Sequence, residues 1–441
     1  MKKGWKIGIG VVAASVIVIV LGVIIAVAGK SDQRNEALKA IQNFFEVSKE
    51  NELNRYLEYC SFEDMFYEKD TQVSGTFYTD IAKMTVQADL EGTIDKSGKM
   101  VKVLGDVGLG GMPFAEFDVY SDDTNLYVDS EIFQDKLLKF NYTENLDQLG
   151  KEYGISHRNV TILQKGYISL FQMAVSRSKY EKIEELLKND KLKEDLLQIY
   201  ENMTVERQEN PDQVAGGYLY QVNFPAEDMK LFLQDMSVVY PEFEQDGYLN
   251  LVNKLVSTEK GMEITVLVNA DGATTELSID NVESGYGMLL KRNELEKEDN
   301  SGFESQFCMT VMKDGAGIIN GEILFEYSAT DGAFVLEARE DITGINVSAS
   351  GTMDADSKKE KFIVNIAEMK IFRGKHDVDL KADIEIAFGD YTAELPKKSE
   401  LDLIHGDIQE LQKAETQLWE EIDSIAGTEI RQFLNSIGFS F

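Results

Sequence analysis

The side chains that most often carry chemistry are thinly spread along this chain. It has three histidines, His157, His376 and His405, none near another in sequence, so no pair is spaced to ligate a metal or to activate a nucleophile. Two cysteines, Cys60 and Cys308, share no spacing with a histidine that would suggest zinc. The G-x-S-x-G nucleophile elbow, the H-E-x-x-H zinc helix, the phosphate loop with its lysine, and S-x-x-K with its partner motifs are absent from the sequence. Gly315-Ala316-Gly317-Ile318-Ile319-Asn320-Gly321 is glycine-rich, but it lacks the lysine and lies between strand-like runs, so it reads as a turn. Asp354-Ala355-Asp356-Ser357 begins like a calcium loop, yet the glycine and the distal glutamate fall in the wrong places. With 78 Asp and Glu residues, carboxylate pairs occur everywhere and do not single out a glycosidase dyad. The sequence therefore assigns no catalytic residue, no cofactor-binding residue, no metal ligand and no cofactor, and the expectation is a protein that is not an enzyme.

The two thiols leave two readings open. Cys60 shares a helical stripe with Leu53, Tyr56 and Leu57, and Cys308 sits beside Phe307 and Met309 in a strand-like run. Both positions suit a small buried hydrophobe, and an oxidising compartment would equally permit one bridge. The sequons at Asn141, Asn159, Asn202 and Asn346 matter only in a glycosylating host.

Charge narrows the partners. The formal net charge is −34, which repels nucleic acid and anionic lipid headgroups and favours solubility and cations. Nucleic acid is therefore not expected as a partner. Hydrophobic residues make up 43% of the chain, enough for a folding sequence and too many for a disordered stalk.

The elements that must hold any site begin with an apolar run. Ile7 to Gly29 carries no charge, and as a helix it would reach roughly 33 Å, enough to cross a hydrocarbon core of about 30 Å. Lys2, Lys3 and Lys6 precede it, while Lys30 and Arg34 beyond it are offset by Asp32 and Glu36. That asymmetry predicts a single-pass protein in the cell membrane with a cytoplasmic N-terminus and an extracytoplasmic remainder. Ala26-Val27-Ala28 also has the look of a cleavage site, so a removed signal peptide is the rival reading.

Beyond the run, Ser31 to about Asp70 has helical spacing in Leu38, Ile41, Phe44 and Phe45. From Val73 to Phe140 the period changes to two, with turns at Asp95-Lys96-Ser97-Gly98 and Asp122-Asp123-Thr124-Asn125. Helical pattern returns over Asn159–Glu201, a strand follows at Gly217–Phe224, and Ala226–Val256 is again helical with a break at Pro241. Candidate strands then run over Met262–Asn269, Thr274–Asn281, Phe303–Met312, Ile318–Ser328, Ala333–Glu340, Ile345–Met353, Lys361–Ile371 and Asp377–Phe388. Ile408, Leu411, Leu418, Ile422 and Ile425 predict a C-terminal helix. Gly92-Thr93-Ile94-Asp95 and Gly351-Thr352-Met353-Asp354 echo one another, which fits either two related meanders or chance recurrence of one hairpin solution.

The expected fold class is α+β: an N-terminal transmembrane helix, then long antiparallel β-meanders forming one or two curved sheets packed by N-terminal, central and C-terminal helices. The expected division is an anchor over 1–30, a helix with the first meander and a central helical insertion over 31–260, and a second meander with a C-terminal helix over 261–441.

Within this layout Gly92-Thr93-Ile94-Asp95, Glu116-Phe117-Asp118-Val119-Tyr120, the acidic turn, Asn125-Leu126-Tyr127-Val128 and Lys136-Leu137-Leu138-Lys139-Phe140 follow a helix in order. In that stretch the chain resembles the LolA-like lipoprotein carriers. The resemblance implies a bent antiparallel half-barrel with helices closing its concave side and an apolar cavity for lipid between them. It covers under a fifth of the chain, which lacks the lipid-modified cysteine and adds a second sheet region. A Gram-positive family of membrane-anchored surface proteins fits the same layout. The functional expectation is a membrane-anchored, extracytoplasmic, non-enzymatic binding or interaction module. Its partners would be the cytoplasmic membrane through residues 7–29 and an apolar small molecule or a protein. A carrier of an apolar ligand in a sheet–helix cavity and a wall-associated hydrolase are the alternatives.

Overall fold

The computed structural model describes most of residues 33–420; the longer stretches outside the description are 1–32, 46–61, 131–135, 151–156, 179–187, 210–216, 240–252 and 421–441. The apolar run 7–29, Cys60 and most of the expected C-terminal helix lie outside the described residues.

The described helices are α1 (Gln33–Phe45), α2 (Phe62–Glu68), α3 (His157–Val175), α4 (Asp190–Asn202) and α5 (Ala226–Val239). The early strands are β1 (Asp70–Ile81), β2 (Met84–Asp95), β3 (Met100–Leu109), β4 (Met112–Ser121), β5 (Asn125–Asp129) and β6 (Lys136–Asn141). Then come β7 (Thr204–Glu209), β8 (Tyr218–Phe224), β9 (Met262–Val268), β10 (Thr274–Asn281), β11 (Tyr286–Glu296) and β12 (Gly302–Lys313). The last are β13 (Ala316–Ser328), β14 (Ala333–Glu340), β15 (Ile345–Asp356), β16 (Lys361–Arg373), β17 (His376–Gly389) and β18 (Ser399–Asp402). The chain forms two compact units, one of residues 1–57, 180–350 and 369–377, the other of 58–179, 351–368 and 378–441.

In the first unit, β7 to β14 pair in sequence order, each antiparallel to the next. Alternation decides which face is dry. Met262, Ile264, Val266 and Val268 of β9 are buried, and so are Leu277 and Ile279 of β10 and Met288 and Leu290 of β11. Three helices contribute to that core. Ala37, Leu38, Ile41 and Phe44 form the inner stripe of α1, Leu192, Leu196 and Ile199 that of α4, and Met229, Phe232 and Met236 that of α5. Asn189 caps α4 by accepting from the backbone of Lys191 and Leu192 at 3.1 and 3.2 Å. Arg292 donates to the Phe44 carbonyl at 3.2 Å and satisfies a terminal acceptor of α1. The buried Thr274 hydroxyl donates to Ala40 O at 2.7 Å and ties α1 to β10.

In the second unit, β17, β1, β2, β3, β4, β5 and β6 are neighbours in that order, all antiparallel, and β18 adds to β6 in parallel. Helix α3 packs on β2 and β3, and α2 on β1. At the hairpin ends Tyr167 and Phe171 of α3 meet the ring of Tyr142, at 4.9 and 6.5 Å.

Two corrections to the expected fold class follow. The described strands belong to one large 18-stranded sheet, which does not fit the expected curved sheets packed by N-terminal, central and C-terminal helices. Among the described residues, which exclude the apolar run 7–29, no helix is long and apolar enough to cross a membrane, so the described fold lacks the expected transmembrane helix. The reason lies in how the later strands cover their own apolar groups. Phe303, Phe325, Tyr327 and Phe334 shield one another across β12, β13 and β14, with centroids 5.8 to 6.3 Å apart. Gln306 donates to Glu322 across the β12–β13 pair at 2.6 Å. Ile323 and Val335, which the register places on opposite faces, remain 47% and 39% exposed, so these strands take water on both faces.

Strand positions follow expectation more closely than their packing does. Asp314-Gly315, with φ of 52° and 77°, closes the β12–β13 hairpin, and Asp271-Gly272 and Asp331-Gly332 turn where expected, with their glycines at positive φ. Strands β7 and β11 were not anticipated. β7 turns five of its six side chains to solvent, and the Leu289-Leu290 pair in β11 breaks the alternation.

Candidate functional site

The residues with chemical potential do not converge. His157 opens α3 and His376 opens β17. His405 Nε2 lies 2.8 Å from Glu144 Oε2 at the surface. Cys308 is a free, half-buried thiol whose cross-strand partners are Lys291 and Glu322, and burial followed by the Glu322 charge pushes its pKa up. The glycine-rich Gly315–Gly321 is hairpin and strand, and Asp354 and Asp356 lie within β15. Among the described residues no group of three or more His, Cys, Asp or Glu is arranged to hold a metal ion.

What the fold does assemble is an acidic face in the second unit. Pairing register places Asp383, Thr76, Asp89, Asp106 and Glu116 directly opposite one another across β17, β1, β2, β3 and β4. Since directly opposed residues share a face, these form one continuous row. Glu385, Ser74, Glu91, Leu104 and Asp118 form the next row on the same face. Hydrogen bonds confirm the geometry: Thr76 Oγ1 donates to Asp89 Oδ1 at 2.6 Å, Gln87 Nε2 to Asp89 Oδ2 at 2.9 Å, and Gln72 Nε2 to Glu91 Oε1 at 2.7 Å. Asn365 donates to Asp383, and Lys361 pairs with Glu385. Among the described residues no ion pair reaches Asp89, Glu91, Asp106 or Glu116. An open trough of about 540 Å³ lies over this face, lined by Thr76, Asp89, Glu91, Asp106, Asp383 and Glu385 together with Ile363 and Leu104.

The end of the face toward β5 and β6 closes over rings. Tyr120, Tyr127 and Leu137 are buried beneath Leu395. Burial, then the neighbouring Asp118 carboxylate, pushes the Tyr120 phenol up to about 12, and its hydroxyl donates to Asp118 at 3.1 Å. Lys398 neutralises Asp129 and Lys139 neutralises Glu400. Charge is thus balanced at this end and left unbalanced over β1 to β4.

The opposite face of the same strands is apolar. Ile386, Val73, Gly92, Val103, Val119, Val128 and Leu138 form one row across seven strands, and each is only half-buried.

A second trough of about 600 Å³ in the first unit lies at the start of α5, where Asn202, Asn223, Glu227, Asp228, Glu259 and Glu263 line it. Asp228 is committed there to structure, accepting from Gln198 and Asn202 at 2.7 and 2.9 Å.

The acidic row escaped sequence reading because it is a property of pairing. Asp89, Glu91 and Asp106 are visible as the polar members of alternating strands, but nothing local places Asp383 beside Thr76.

No family model matches the chain, and no curated protein matches it. Among solved structures it is similar to the β domain of the Bordetella autotransporter BrkA, at 7% identity over 72% of this chain and 98% of that one, with a TM-score of 0.19.

Proposed function

We propose that this protein is a non-enzymatic binding module, attached to the cytoplasmic membrane through residues 7–29, whose acidic sheet face receives a basic segment of a protein partner. The observation that carries the reading is the row Asp383–Thr76–Asp89–Asp106–Glu116. Like charges directly opposite on a sheet cost stability, about 0.2–1 kcal/mol per pair. A row that keeps such pairs without lysines between them is suited to a partner that supplies the missing cations. The net charge of −34 adds long-range attraction for the same partner.

The test is binding of the full chain to a lysine-rich peptide. Asp89→Asn with Asp106→Asn should weaken binding severalfold and flatten its salt dependence, while Asp123→Asn with Asp280→Asn, a charge-matched change elsewhere, should do so far less. Asp106→Asn alone should also raise stability by about 0.4–2 kcal/mol, since it removes two like-charge pairs, with Asp89 and with Glu116. Equal affinities for the two double variants would refute the site. Recovery of the full chain in the soluble fraction of lysed cells would refute the membrane attachment.

The half-buried apolar row on the opposite face favours a second reading, carriage of an apolar ligand. Native mass spectrometry of the purified protein distinguishes it: a co-purifying lipid supports carriage, and a clean mass opposes it.

A further inference from the structure

Helices α4 and α5 pack against each other in the first unit; α4 buries Asp195, and α5 buries Asp235 as well as Asp228. Asp195 and Asp235 are both only 7% exposed. Asp235 Oδ1 accepts from Lys191 Nζ at 2.5 Å. The remaining oxygens are a different matter. Asp195 Oδ2 and Asp235 Oδ2 are enclosed, and no donor among the described residues reaches either. The two side chains are within hydrogen-bonding reach of one another. Two carboxylate oxygens at that separation repel unless a proton lies between them, and an unpaired buried carboxylate is among the costliest groups a core can hold.

The other charged groups around the pair do not supply that proton's equivalent. Lys191 is 64% exposed and reaches the pair through Asp235 Oδ1 alone. Glu194, also on α4, adds a further negative charge. β8, which packs beneath α4, has no Asp, Glu, Lys, Arg or His. On α5, Asp228 is engaged by Gln198 and Asn202. α1 brings Arg34 to the other end of α4, onto Tyr200 O and Glu201 O.

We propose that Asp195 and Asp235 share a single proton and form a pH-sensitive latch between α4 and α5, closed while the proton is bound and loosened when it leaves to bulk water. With one proton the pair is a carboxylic acid donating to a carboxylate, both buried oxygens are satisfied, and Lys191 balances the one remaining charge. Without it, two adjacent anions share one lysine.

Burial first, then the hydrogen bond and charge of Asp235, raise the Asp195 pKa to about 6. The sign follows from linkage. A carboxyl whose folded pKa lies above its unfolded value binds its proton more tightly in the native state. Its stabilising contribution is full at low pH, shrinks as pH rises through about 6, and is gone above. Between pH 5 and pH 7.5 this one group raises the unfolding constant about tenfold.

The experiment is denaturant unfolding of the full chain at pH 5 and pH 7.5, for wild type and Asp195→Asn. The amide donates to Asp235 at both pH values and imitates the protonated state, so the variant should lose the roughly tenfold pH component while folding normally. Asp235→Asn should remove the same component, and the double variant should remove no more than either single change. An Asp195→Asn protein with the wild-type pH dependence overturns the latch. So does a carboxyl-carbon NMR titration of Asp195 in the wild-type chain with its midpoint below about 4.5, a measurement that does not depend on any variant folding. A midpoint near 6 supports it.

Discussion

Lys96 is 3% exposed, in a turn, with its ammonium among rings and carbonyls. Its Nζ donates to Phe66 O and, at 3.2 Å, to Ser176 O, and lies 4.2 Å from the centroid of the Phe66 ring. Burial lowers its pKa to about 8, with Asp70 opposing that shift. One side chain therefore joins the β2–β3 turn to α2 and to the end of α3. Lys96→Ala should cost about 2–4 kcal/mol, because two carbonyls lose a donor and the ring contact disappears. Urea unfolding measures it, and a loss under 0.5 kcal/mol would mean that water replaces the ammonium. Glu283 works in the opposite sense. It accepts from Ser257 Oγ, and from Thr258 N and Thr258 Oγ1 at 2.9 Å each, and these bonds hold its pKa down at about 2. A depressed carboxylate stabilises above its unfolded pKa and loses that contribution as pH falls toward its folded one. Glu283→Gln should therefore show a smaller drop in melting temperature between pH 4.5 and pH 2.5 than wild type. An equal drop would place the acid sensitivity elsewhere.

At the scale of elements, the strand glycines set what can lie over the sheet. A Cβ on Gly105 would sit 2.5 Å from the Phe117 ring, which covers the gap left in β3. Gly105→Ala should cost about 1–3 kcal/mol, because the ring must leave its place or the strands must part. Thermal unfolding gives the number, and a neutral result would mean that Phe117 moves freely. The same elements show how far sequence reaches. β10 and β14 are legible to the residue because Asp-Gly turns bound clean alternation, while α4 is legible only as part of the helical pattern over Asn159–Glu201, its start being set by the Asn189 cap. β11 is not, because its paired leucines mimic a buried run of unspecified type. The acidic site lies between these cases. Its carboxylates are plain in each strand, while the row they form depends on which strands become neighbours. The Asp195–Asp235 pair was invisible for the same reason: it needs two helices side by side. On α4 alone, Asp195 reads as one more solvated charge beside Lys193 and Glu194.

At the scale of the molecule, neighbourhood in space and order along the chain part company in the second unit. β1 lies between β2, its next strand in sequence, and β17. Thr79 on β1 donates to Asp379 O, 300 residues later. β6 likewise receives β18 from the far side of the sequence. In the first unit, by contrast, β7 to β14 each pair with the strand that follows. Synthesis runs in one direction at about 5–20 residues per second, so the outer edge of β1 waits roughly 15–60 s after leaving the ribosome before its partner exists. Throughout that interval the nascent chain offers a bare row of amides and carbonyls, the template on which chains pair with copies of themselves. A product truncated before residue 380 would keep that edge for good. Self-association should accordingly distinguish shortened chains from the complete one, and the last strands of this protein act as the cap that ends its own stickiness.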